Sequence, residues 1–143
     1  MANAQKTVLI IEDSPTQALS LQLLLENEGL SVLHAPDGTR GIQLAQELIP
    51  DAIVLDVELP GISGFEVAVI LSSHHLTRHI PIIILTKLDD SVSLRKGLIL
   101  GAHDFIPKDI FADAVLLETL KTFKLIDHTH SGDQITDHYE SCI

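Results

Sequence analysis

The chemistry open to this 143-residue chain rests on three acids, one hydroxyl and one amine, each placed just after a short apolar run. Glu12 and Asp13 follow Thr7–Ile11, Asp56 ends the run from Ala52, Thr86 ends Ile82–Leu85, and Lys108 lies just beyond Asp104–Ile106. An acid alone in such a place is ordinarily a solvated helix cap. The joint placement points elsewhere, because loops at the carboxyl ends of parallel strands form the ligand crevice of an open α/β sheet. If the first and third strands are neighbours, the three carboxylates lie about 5 Å apart, and each pair repels by roughly 3 kcal/mol at an effective dielectric of about 20. One lysine cannot offset three such pairs, whereas a divalent cation can. An oxygen-rich, water-accessible site without Cys or clustered His suits Mg2+.

Beside such a cation an aspartate can act as a nucleophile and form an aspartyl phosphate. Asp56 is the candidate, with Mg2+ neutralising charge and aligning the donor, Thr86 donating to one phosphoryl oxygen and Lys108 pairing with another. A permanent flavin site is disfavoured, since Glu12 and Asp13 set two negative charges where its phosphate belongs. The glycine-rich phosphate loops of nucleotide-triphosphate enzymes and dinucleotide binders are absent from the sequence.

The elements that must position these residues follow from hydrophobic patterning. Thr7–Ile11 is a continuous apolar run of the kind buried on both faces in parallel sheets. Ser14-Pro15 starts a helix to about Glu28, with Ala18, Leu21, Leu24 and Leu25 at helical spacing and Gly29 as its stop. A strand over Ser31–Ala35, a helix opened by Asp37-Gly38 and running to about Leu48 before Pro50, and a third strand ending at Asp56 continue the alternation. After the loop Leu59–Gly64, the pattern predicts a helix over about 65–72, a strand over 82–85, a helix from Asp89-Asp90 to near Gly101, and a short strand over 104–106. A last helix, capped by Asp109, runs to about Leu125. Five strands alternating with five helices predict a three-layer α/β domain: a parallel sheet covered on both faces with right-handed crossovers.

Composition excludes several classes. Nine Lys and Arg against twenty Asp and Glu give a formal net charge of −11, and the cations are scattered, so direct nucleic-acid binding is not expected. No apolar run approaches the length of a membrane span, the lead Met1–Lys6 is polar, and the single Cys142 has no partner for an internal disulfide. A cytoplasmic location is expected. Apolar residues at 45% and charged residues at 20% suit one folded domain, expected over 6–125, with 126–143 as a tail outside the core.

Taken together, Ile10-Ile11-Glu12-Asp13-Ser14, Val54-Leu55-Asp56-Val57, Leu59-Pro60-Gly61-Ile62-Ser63-Gly64, Ile84-Leu85-Thr86 and Gly101–Lys108 resemble the receiver domains of two-component response regulators, chemotaxis regulators among them. The resemblance implies a doubly wound, flavodoxin-like (βα)5 domain with strand order 2-1-3-4-5. It implies that Glu12, Asp13, Asp56 and the Glu58 backbone carbonyl bind Mg2+, and that Asp56 accepts phosphate from a sensor histidine kinase or a histidine phosphotransfer protein. Thr86 and Phe105 match the family's hydroxyl and aromatic switch pair, which carries the signal to a surface that binds a downstream protein effector and allows a homodimer. The implied module is a phosphoacceptor that assists its own phosphorylation and dephosphorylation, not an enzyme acting on outside substrates.

Two positions depart from the family pattern: Lys87 stands where a small residue usually follows the threonine, and Asp109 where proline usually follows the lysine. A non-phosphorylated docking scaffold on the same fold is the alternative reading, opposed by the presence of all five chemical positions. An aspartate-nucleophile phosphatase would carry its nucleophile after the first strand rather than the third. The chain reads equally as a stand-alone regulator or as a segment of a hybrid kinase or transcription factor. His74, His75 and His79, like the tail's His128, His130 and His138, lack a shared metal-binding spacing and read as solvated.

Overall fold

The computed structural model describes residues 5–87, 102, 104–109 and 111–126. Its elements run β1 (Thr7–Ile11), α1 (Pro15–Glu26), β2 (Ser31–Ala35), α2 (Gly38–Leu48), β3 (Ala52–Asp56), α3 (Gly64–Ser73), β4 (Ile82–Thr86) and β5 (Asp104–Pro107). The last described helix, α4, spans Ala112–Thr122. The helix expected over about 89–101 lies outside the described residues. The strands form one parallel sheet ordered β2-β1-β3-β4-β5, the expected doubly wound arrangement.

Successive side chains on a strand point to opposite faces, so these short apolar strands feed two cores at once. Leu9, Ile11, Ile53, Leu55, Ile82 and Ile84 face one side, where Ala45 of α2 and Phe65, Ala68 and Leu71 of α3 cover them. Val8, Ile10, Val54, Ile83, Leu85 and Ile106 face the other, beneath Leu21 and Leu25 of α1 and Leu116 and Leu120 of α4. The register sets Ile11 beside Leu55 and Asp56 beside Leu85, which brings the carboxyl ends of β1, β3 and β4 to one edge.

Helix ends show where local signals were sufficient and where they were not. The Ser14 hydroxyl caps α1 by accepting the Gln17 N–H at 3.3 Å, and Asp37 caps α2 through the Arg40 N–H at 2.8 Å. Helix α1 closes at Glu26 rather than Glu28, and the chain turns through Gly29 at φ +87°. Helix α3 begins one residue earlier than expected because Ser63 and Glu66 form a reciprocal capping box. The expectation that Asp109 caps the last helix is not met. Its Oδ1 accepts the Phe111 N–H at 2.8 Å, its carbonyl accepts that of Ala112, and the helix starts only after this extra turn. The same helix ends at Thr122, short of Leu125, where Lys124 takes a left-handed φ of 63°.

The loop between β3 and α3 folds tightly back on the strand end. The Val57 carbonyl accepts the N–H of Leu59 at 3.1 Å and that of Gly64 at 2.9 Å. A Cβ on Gly64 would press on the Asp56 carbonyl oxygen and fall 2.7 Å from Val57 Cα and Leu55 Cδ1. The motif needs glycine here for close approach, since the crowding atoms include backbone that cannot step aside. Gly64→Ala should therefore destabilise the domain by about 1–3 kcal/mol, read as a lower urea midpoint with unchanged slope. An unchanged midpoint would show that the loop can retreat from the strand.

Candidate functional site

Each candidate is placed by the strand that ends beneath it. Glu12 continues β1, held by its N–H on the Ala35 carbonyl at 3.0 Å, and its own carbonyl contacts His34 Nε2 of β2 at 2.8 Å. Asp56 is the last residue of β3, and its Oδ1 accepts the Glu58 N–H at 3.1 Å. Thr86 ends β4, fully buried, and its carbonyl accepts the Lys108 N–H at 2.7 Å. Glu12, Asp13, Asp56 and Lys108 are brought together by their side chains, and Thr86 adjoins them through its backbone carbonyl.

Lys108 ties the ends together. Its Nζ lies 2.9 Å from Asp56 Oδ2 and 3.1 Å from Glu12 Oε2, and it donates to Gln17 Oε1 at 2.8 Å. Asp56 and Glu12 are almost wholly buried, at 6% and 2% exposure, whereas Asp13 is open to solvent. Burial pushes the Glu12 carboxyl above the ordinary glutamate range; the Ser14 N–H draws it back, Asp56 adds to the rise and Lys108 opposes it. For Lys108, burial alone would lower the pKa, but the hydrogen bonds and charges of Asp56 and Glu12 outweigh it and raise the value. The ammonium is thus fully charged at neutral pH.

One carboxylate oxygen each from Glu12, Asp13 and Asp56 lie within 4.8 Å of one another. Three negative charges against the single positive charge of Lys108 leave a deficit of two, which one divalent cation closes. The donors are all oxygen, and Asp13 leaves the site open to water, as a partly hydrated Mg2+ requires. The residues fit that ion. Glu58, named for its backbone carbonyl, is exposed at the rim, two residues beyond Asp56.

Phe105 is half-buried on β5 opposite Ile84, so it shares a sheet face with Ile84 and with Thr86 two residues further on. Its ring stacks on Phe65 of α3 with centroids 6.3 Å apart, a contact absent from the sequence reading. Gln17 was missed too. It occupies the third position of α1, a first-turn place at the mouth of the crevice, and that position was its only signal. Lys87 is exposed and lines a cleft of about 270 Å3 between α1 and α4, together with Gln17, Leu85, Lys108 and Asp113. His75 and His79 are exposed, and His74 Nδ1 accepts the Leu76 N–H at 3.1 Å. The tail histidines and Cys142 lie outside the described residues.

This arrangement defines a class of protein. Residues 8–121 match the response regulator receiver domain, and the chain belongs to that family. Among curated relatives, the chain is 35% identical to protein PilH of Pseudomonas aeruginosa over 109 residues, which cover 76% of this chain and 90% of PilH. Among solved structures it resembles a response regulator from Chloroflexus aurantiacus, with a TM-score of 0.79 and 33% identity over 84% of this chain and 98% of that one. The receiver domain of the sensor histidine kinase PA1611 of Pseudomonas aeruginosa, solved with magnesium coordinated in its active-site cleft, matches with a TM-score of 0.76 and 27% identity, covering 84% and 98% of the two chains. The chain is a phosphoacceptor signalling module of the two-component type, one that works with histidine kinases or phosphotransfer proteins.

The acidic cluster makes a prediction that needs no phosphorylation. At about ten times its dissociation constant, Mg2+ should add about 1.4 kcal/mol of stability by mass action, a rise of about 3–6 °C in Tm. Asp13→Asn should abolish most of that shift yet raise the metal-free Tm, because it removes one like charge from the cluster. Thermal unfolding in the two proteins checks both signs. An equal rise with sodium at matched ionic strength would exclude a specific metal site.

Proposed function

We propose that Asp56 is the phosphoacceptor of this receiver and that Glu12, Asp13, Asp56 and the Glu58 backbone carbonyl hold Mg2+ beside it. The observation that carries this reading is the buried Asp56 carboxylate, hydrogen-bonded to Lys108 within the three-acid cluster at the carboxyl end of a central strand. Bound there, Mg2+ would supply positive charge to the incoming phosphoryl oxygens. An Asp56 carboxylate oxygen attacks the phosphorus of a phosphohistidine; the new P–O bond forms as the P–N bond breaks, and the electron pair leaves with the imidazole. Lys108 stays beside the reacting carboxylate and pairs with a phosphoryl oxygen, while the Thr86 hydroxyl donates to another.

The switch follows from the same placement. Thr86 gains a reason to turn toward the phosphoryl group, and Phe105, on the same sheet face, is drawn into the space it leaves. A change there alters what a downstream protein effector, or a second copy of the chain, meets on that side. The donor is a sensor histidine kinase or a histidine phosphotransfer protein. No helix among the described residues is long and apolar enough to cross a membrane, which supports a cytoplasmic setting. We assign the receiver to 6–126, one residue beyond the expected boundary because Ile126 is buried in the core with Leu116 and Leu120, with the stand-alone and larger-chain readings both open.

Incubation with Mg2+ and a small phosphodonor should add one base-labile phosphoryl group to the wild type and none to Asp56→Asn, measured by intact mass. Equal labelling of the variant moves the acceptor elsewhere, and failure with every donor and a cognate kinase favours the docking scaffold. In a second measurement, beryllofluoride should change amide exchange around Thr86 and Phe105. No change there with the mimic bound would defeat the switch.

A further inference from the structure

Gln17 stands where a local rule gives its side chain a different job. Ser14-Pro15-Thr16-Gln17 has the spacing of a capping box, in which the third helical residue reaches back to the backbone N–H of the cap. Half of that box is present, since the Ser14 hydroxyl accepts the Gln17 N–H at 3.3 Å. The other half is taken over by a site residue: the Ser14 N–H donates to Glu12 Oε1 at 3.2 Å. Relieved of that task, the Gln17 side chain turns across the crevice and accepts from Lys108 Nζ at 2.8 Å, the shortest of the three hydrogen bonds that ammonium makes.

An ammonium has three N–H donors, and here each has one acceptor: Glu12, Gln17 and Asp56. The three acceptors come from the loop just after β1, from α1 and from the end of β3, so Lys108 is held from three sides. The acceptors differ in charge. A carboxylate in place of Gln17 would be a fourth negative group at a site that already carries three, while an amide oxygen accepts the same bond without adding charge. The acceptors also differ in what phosphorylation does to them. Asp56 changes chemically, whereas Glu12 and Gln17 do not.

We propose that Gln17 is a positioning residue for phosphoryl transfer at Asp56: with Glu12 it keeps Lys108 Nζ over the acceptor while the third hydrogen bond passes from Asp56 to a phosphoryl oxygen. The proposal rests on Asp56 being the acceptor. Without Gln17 the flexible lysine stem would have only two carboxylates to hold it, and the ammonium would be drawn off line as the acceptor's charge changes. Gln17 touches neither the phosphoryl group nor the metal in this scheme and acts only through Lys108.

Gln17→Met keeps the length of the side chain and removes the acceptor, at a half-exposed position that folding tolerates. Time courses of the full chain with acetyl phosphate and Mg2+, followed by intact mass, should show phosphorylation and subsequent loss of the phosphoryl group both slowed about tenfold, the scale set by one hydrogen bond to a charged group. The Tm and its rise with Mg2+ should match the wild type, which separates positioning from a structural role. Gln17→Glu, which restores an oxygen at the same reach but adds a fourth negative charge, should be faster than Gln17→Met in both rates and slower than the wild type, because the restored acceptor holds Lys108 while the added charge opposes the phosphoryl group. Wild-type rates in Gln17→Met would overturn the proposal. So would an equal slowing in Gln17→Glu, which would mean that the oxygen is not what matters, or a slowing that tracks a lowered Tm. A wild type that takes no phosphoryl group, or an Asp56→Asn variant that takes one, would instead defeat the assignment of Asp56.

Discussion

Two buried carboxylates at the ends of adjacent parallel strands repel one another, and the sheet can set Glu12 beside Asp56 because Lys108 Nζ lies 3.1 Å from the first and 2.9 Å from the second. All three side chains are shielded from water, with 15% exposure for the lysine and 3% and 7% for its partners, so salt screens their attraction weakly. Such an arrangement is a poor source of net stability, since desolvation offsets much of the Coulombic gain. Its worth is electrostatic poise: the cluster keeps a net negative charge that a divalent cation neutralises, and it does so around Asp56, the one buried aspartate among the described residues.

The backbone around this cluster is built to hold it still. Strands β1, β3 and β4 are apolar on both faces and gripped by two cores, and the edge strand β5 is anchored by Ile106 in one core and by Phe105 against the other, so the strand ends cannot drift apart. The loops that leave those ends are short of freedom. The β1 loop is pinned by Ala35 and His34 of the edge strand, and the β3 loop by the Val57 turn and the close approach of Gly64. Fixed donors and acceptors of this kind need no reorganisation when charge moves, which suits a small domain to phosphoryl chemistry.

The sheet and the five chemical positions were legible in the sequence because both depend on strong local signals: unbroken runs such as Val8–Ile11 and Ile82–Leu85 mark buried parallel strands, and functional groups fall directly after them. What escaped was set by competition between neighbours. Asp109 has the right type for a helix cap, but its side chain is claimed by the Phe111 N–H, so the helix starts later. Gln17 has the spacing of a capping box, but Glu12 takes that role and leaves the amide to Lys108. Phe65 reads as a core residue of its helix, and only the fold reveals that its ring meets Phe105 from a strand far along the chain. A sequence states what each residue can do; where two residues can satisfy the same donor, only the packed structure decides between them.

The three bonds of Lys108 span separations of 52, 91 and 96 residues, so the lysine reaches its partners from the far end of the chain. During synthesis the acids of β1 and β3 leave the ribosome long before the strand that brings their cation. Until β5 emerges and inserts at the sheet edge, Glu12 and Asp56 stand at adjacent strand ends without the ammonium that lies between them. The cation that balances the buried acids therefore arrives only with β5, after most of the sheet has been synthesised.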